Sequence, residues 1–262
     1  MNPIPSVQTE QQGPVLTITL SRPDRRNAVD GPTALALRLA FEAFEQDSGA
    51  RVAVLTGAHG HFCAGADLRA LADPALRNPI EASGTGPGPM GPTRMAFSKP
   101  VIAAIEGYAV AGGLELALMC DLRVAARSAT FGVFCRRWGV PLIDGDTVRL
   151  PRIVGMGRAL DMILSGRAVA ADEALAMGLA TQLADDGQAL AAALALALRI
   201  ASFPQQCMLA DRASAHGQWD LPLANALQRE GAGGWPVVSA EALGGAARFA
   251  AGAGRHGGFD PA

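Results

Sequence analysis

Residues 100–121, PVIAAIEGYAVAGGLELALMCD, constrain this chain more than any other stretch. PVIAAI is a short apolar run opened by a proline, and its length suits a buried strand rather than a helix. Gly107 marks a turn. Gly112 and Gly113 then precede LELALMC, in which Leu114, Ala117 and Leu118 recur at the spacing of one helix face. A helix start leaves main-chain N–H groups without internal partners and carries partial positive charge. Where glycine admits a ligand, those groups can hold an oxygen that becomes negative. Glu115 falls in the first turn among apolar residues, which makes it the candidate for proton transfer. Apolar surroundings raise its pKa and the helix N-terminus lowers it, and the residues alone leave that balance open. The same residues also fit a plain packing role, with Glu115 a helix-start carboxylate.

A second glycine-rich loop, GAHGHFCAGADL, follows the strand at 51–56 and points to a helix start near Asp67 and Leu68. Its small residues can present a second set of main-chain donors beside Gly112. His59 and His61 lack metal-ligand spacing and read as solvated loop histidines rather than catalytic ones. Earlier in the chain, residues 15–20 alternate as a half-buried strand. Arg25 and Arg26 follow in a turn, as solvated charges or as contacts for a phosphate-bearing ligand. Asp30 reads as the N-cap of a helix with Leu35, Leu39 and Ala43 on one face, the candidate for its packed side. Residues 71–98 are rich in Pro, Gly and small polar residues and read as a mobile flap or partly disordered loop. A strand at LRVAA and a helix over 145–154 come next, and repeated amphipathic helices alone complete the chain. Tyr108 and Trp138 read as core or pocket wall.

Strands alternating with helices, then helices only, argue for an α/β core over residues 1–195 and a helical region over 196–262. Half of the 262 residues are hydrophobic, enough for a large core. A net charge of −2 gives no footprint for nucleic acid or an anionic membrane. The apolar tract at 189–198 is too short to span a bilayer and reads as a core helix. Cys63, Cys120, Cys135 and Cys207 show no metal-ligand spacing and suit free thiols in a reducing cytoplasm. No metal site is expected.

RPDRRNA, HFCAGADL and KPVIAAIEGYAVAGGLELALMCD together resemble the crotonases, the enoyl-CoA hydratase/isomerase superfamily. The resemblance covers most of the chain. It implies a spiral of ββα units with C-terminal helices that build a homotrimer or a dimer of trimers. It implies an acyl-CoA thioester as substrate, with coenzyme A part of that substrate and no separate cofactor. The amides of Ala66 and Gly112 would receive the thioester oxygen, Glu115 would be one acid/base group, and CoA would lie along Arg25, Arg26, Ala28, Ala64, Asp67 and Leu68. Where hydratases of this family carry a second glutamate, in a pattern like FGxPE, this chain has Cys135, and a neutral thiol is a poor substitute for a water-orienting carboxylate. Asp144 and Asp146 lie downstream, where other members place a functional Asp. They read as caps of the following helix or, for Asp144, as a catalytic carboxylate. Hydration of a 2-enoyl-CoA, a double-bond shift using one carboxylate, and acyl-CoA binding without turnover all remain open.

Overall fold

The structure, a computed structural model, describes residues 5–254. β1 (Val7–Gln12) pairs antiparallel with β2 (Val15–Leu20). β3 (Val52–Gly57), β4 (Val101–Ile105), β6 (Leu122–Ala126) and β9 (Gln182–Ala184) then add in parallel, in the order β1-β2-β3-β4-β6-β9. Every residue of β4 is buried, as expected of a parallel strand covered on both faces. β5 (Tyr108–Val110), β7 (Thr130–Gly132) and β8 (Val169–Ala170) form a second, smaller sheet. The chain therefore alternates between sheets: β4 and β6 lie in the large one, and β5 and β7, which directly follow them, lie in the small one.

Helices close these strand pairs: α1 (Gly31–Gln46), α2 (Gly112–Met119), α3 (Asp146–Val154) and, after it, α4 (Met156–Ser165) and α5 (Ala171–Ala176). Asp30 caps α1 as the sequence suggests, its carboxylate accepting the Thr33 amide at 2.9 Å. The buried face of α1 differs from the expected one. Ala34, Leu37, Phe41 and Phe44 point inward, while Leu35 and Leu39 are about half exposed at 48% and 51%. The two phenylalanines decide the face, because aromatic side chains bury the most area.

Three other expectations are corrected. A strand, β5, separates the turn at Gly107 from α2. No helix starts at Asp67; residues 68–72 are turns, and Pro74 disfavours helical backbone just before it. The chain beyond residue 154 is not purely helical, since β8 and β9 lie in it.

The chain divides into two compact units between Leu198 and Arg199. In the first, α6 (Ala189–Ser202) buries Ala189, Ala193 and Ala197 at helical spacing. The second holds α7 (Gln205–Gly217), α8 (Leu223–Val237), a π-helical turn (Val238–Ala242) and α9 (Leu243–Ala250). Within it, Glu241 accepts the amides of Gln206 and Cys207 at 3.1 and 2.8 Å, so a carboxylate satisfies donors at the start of α7. Among the described residues no single helix is long and apolar enough to cross a membrane.

Candidate active site

The loop at 62–67 is stitched between two strands of chain. Its Phe62 and Cys63 amides donate to Glu106 and Tyr108 at 2.7 and 2.8 Å, and the Val29 amide donates to Gly65 at 2.8 Å. The Asp67 amide donates back to Val29 at 2.9 Å. Ala66 is left between these bonds with its own amide uncommitted. Gly112, the first residue of α2, is in the same condition: among the described residues neither amide has a hydrogen-bond partner. The two segments touch. Gly65 has φ of +99°, and a Cβ there would stand 3.0 Å from the Gly112 nitrogen. On the other side of this bend Ala111 takes φ +53° and ψ −127°, with its amide held by Gly132 at 2.9 Å. Such backbone costs a non-glycine residue ~1–3 kcal/mol and persists only where neighbours impose it.

Ala66 and Gly112 both line a cavity of about 420 Å³, together with Glu115, Cys135 and Asp144. Glu115 is 3% exposed. Its Oε1 accepts the Asp144 amide at 2.8 Å and the Asp146 amide at 3.3 Å. Burial, and then the nearby Asp144 carboxyl, push its pKa up to about 8 against the pull of those two amides and Arg149. Burial is the largest influence on this carboxyl.

Asp144 is fixed through one oxygen. Its Oδ1 accepts the Met90 amide at 2.9 Å and the Thr93 hydroxyl. Burial raises its pKa, opposed by Thr93, Met90, Arg94 and Arg149. The capping alternative is corrected: Gly145 holds the N-cap position of α3, and no side chain accepts there. Burial pushes the Cys135 thiol up to about 11, with Glu115 and Asp146 adding to the shift, so it stays neutral.

The 71–98 stretch lies over the cavity, as the flap expectation has it, but it is not loose throughout. Its outer part is exposed, yet 88–93 is buried, and Asn78 donates to Val29 and Pro89 at 3.2 and 2.8 Å. Arg149 joins this segment to α3, donating to Thr93 O at 2.6 Å and Asp144 O at 2.9 Å. Met90 packs against the helix start, so that a Cβ on Gly112 would meet its sulfur at 2.6 Å.

Of the residues expected along CoA, Arg26, Ala64 and Leu68 line the cavity, whereas Arg25, Ala28 and Asp67 do not. Asp67 is engaged by Arg22 at 3.2 Å, which also pairs with Asp30 at 2.8 Å, and Arg25 stands 3.9 Å from Asp67. The Ala28 carbonyl accepts from the Arg22 guanidinium. Tyr108 forms cavity wall beneath Arg26, 5.6 Å away, and stacks on His61 at 5.5 Å. His61 is thus not simply solvated. Trp138 also lines the cavity but is 71% exposed, so it belongs to the rim and not the core. Arg22, Met90 and Arg149 had not been singled out in the sequence. Nothing local signals these residues: Met90 is uncharged and sits in a Gly/Pro-rich stretch, and Arg22 and Arg149 lie among other charges.

A two-sheet α/β fold thus brings two uncommitted amides and the buried carboxyls of Glu115 and Asp144 to one cavity. The chain belongs to the enoyl-CoA hydratase/isomerase family, whose model matches residues 10–231. It is 38% identical over 177 residues to "Enoyl-CoA hydratase EchA19" of Mycobacterium tuberculosis, covering 65% of each chain. It is 39% identical over 172 residues to "Carnitinyl-CoA dehydratase" of Salmonella arizonae, covering 64% of each. The matches thus span slightly less than two thirds of these relatives. The crystal structure of enoyl-CoA hydratase EchA1 from Mycobacterium marinum superposes with a TM-score of 0.87 at 36% identity, covering 94% of this chain and 96% of that one.

Proposed function

We propose that this protein binds an acyl-CoA thioester, with the carbonyl oxygen received by the Ala66 and Gly112 amides and a proton moved by Glu115, and that it hydrates 2-enoyl-CoA thioesters. The observation that carries this reading is the pair of partnerless amides beside Glu115 in one cavity. As water adds to the β-carbon, negative charge develops on the thioester oxygen, and preorganised amides stabilise it. The Glu115 carboxylate takes the water proton and returns a proton to the α-carbon as the enolate collapses. Its raised pKa keeps both protonation states accessible near neutral pH. Asp144, with one oxygen tethered and the cavity beside it, is the candidate to orient the water in place of Cys135. Arg26, Ala64 and Leu68 flank the path for the CoA arm.

A second reading, isomerisation of a 3-enoyl-CoA to its 2-enoyl form, is favoured by Cys135: without a second glutamate, one carboxylate can remove and return the proton. The test supplies crotonyl-CoA and a 3-enoyl-CoA to the wild type and to Glu115→Gln. Hydration that falls about 10²- to 10⁴-fold in the variant supports the first reading. Isomerisation without hydration selects the second. Equal turnover by wild type and variant defeats both.

A further inference from the structure

Asp146 has no task in that scheme. It is the first residue of α3 and fully buried, and among the described residues neither of its carboxyl oxygens has a hydrogen-bond partner. An anion sealed in this way would lose its hydration with nothing to replace it, so such a group keeps its proton. A neutral acid, in turn, has a hydroxyl to donate. The acceptor beside it is Glu115, whose Oε1 already takes the Asp146 amide at 3.3 Å. We infer that Asp146 is a positioning residue for Glu115: lying behind the cavity lining and held as the neutral acid, it offers its hydroxyl to the Glu115 carboxylate when that group ionises.

The surrounding charges fit this assignment. Glu115 faces Asp146 from α2, Arg149 from α3, Asp144 from the turn before α3, and Cys135 from the 3-10 turn Phe134–Trp138. Arg94 faces the cluster from the turn Pro92–Arg94, beside Asp144. Arg149 spends its donors on the Thr93 and Asp144 carbonyls, and its hydrogen bonds do not include Asp146. Glu115 and Asp146 therefore titrate as a pair. Glu115, with two amides on it, takes the first charge. Asp146, with none, keeps the proton, and burial raises it well above the usual carboxyl range.

The inference rests on the proposed role of Glu115, but its test needs no turnover. Glu115 and Asp146 are titrated in the intact enzyme by infrared spectroscopy of the carboxylic C=O stretch, with bands assigned by their loss in Glu115→Gln and Asp146→Asn. The Asp146 band is expected to persist through the pH range in which Glu115 ionises. Asp146→Leu, which removes the donor at similar size, should move the Glu115 midpoint up by about one pH unit, because a hydrogen bond to the anion is lost. Asp146→Asn keeps a neutral donor and should leave that midpoint in place. A downward shift in Asp146→Leu, no shift at all, or an Asp146 band that vanishes before the Glu115 band overturns the inference. The wild-type and Asn titrations decide the matter even if the Leu variant does not fold. If Glu115→Gln keeps full turnover, the proposed function fails separately, with the infrared result still readable.

Discussion

The buried carboxyl of Glu115 should make the stability of this protein fall with rising pH, and Glu115→Gln should abolish that part of the fall. Below its ordinary pKa of 4.5 the group is neutral whether the chain is folded or not. Between there and about 8 the unfolded chain ionises while the folded one holds its proton. The stability that the neutral group contributes is thus complete below the lower value and is lost as pH climbs through the upper one. Each pH unit in that window corresponds to about 1.4 kcal/mol. Because the titration is shared with Asp146, the expected difference between pH 5 and pH 8 is on the order of 3 kcal/mol. Urea unfolding of wild type and Glu115→Gln, at fixed protein concentration and ionic strength, measures it directly. The variant should gain on the wild type by roughly this amount between pH 5 and pH 8. A gap that is the same at both pH values refutes the reasoning, since a glutamine that merely fits badly costs the same at any pH.

Gly113→Ala should destabilise the fold by about 3 kcal/mol or more, because its Cβ would stand 2.1 Å from the Cys63 carbonyl oxygen. Gly112→Ala meets only the flexible Met90 side chain and should keep its melting temperature close to wild type while losing turnover; equal melting losses in the two variants would count against this geometry. Arg22→Ala strands the carboxylates of Asp30 and Asp67 and should cost about 2–3 kcal/mol in denaturant unfolding. Titration with a thiol reagent at neutral pH should find Cys207 fast, and Cys63, Cys120 and Cys135 only after unfolding; rapid labelling of Cys135 in the native protein would contradict its burial.

What was legible in the sequence were features encoded locally. The proline-led apolar run, the glycine pair and Glu115 appear where residues 100–121 put them, and Asp30 caps α1 through its own side chain. What was illegible depends on distant partners. α1 carries apolar residues on more than one side, and only the sheet beneath it selects Ala34, Leu37, Phe41 and Phe44 over Leu35 and Leu39. The composition of 71–98 argues for disorder, yet Val29 and Asp144, remote in the chain, hold it by accepting from Asn78 and from the Met90 amide. Asp146 looks like a cap in sequence because Asp before a helix usually is one. Gly145 takes that position, and the carboxyl goes inward.

The attachment of 88–93 to Asp144 divides the cavity wall into two parts that can diverge independently. The inner part is bolted to the carboxyl cluster, so a substitution there disturbs the chemistry. The outer part contributes Leu71 and Ile80, which line the cavity while remaining exposed at 41% and 61%. Changes at those two positions reshape the rim of the cavity while Glu115 and Asp144 stay where they are. Selection for a new substrate would therefore find its first neutral steps on that outer rim.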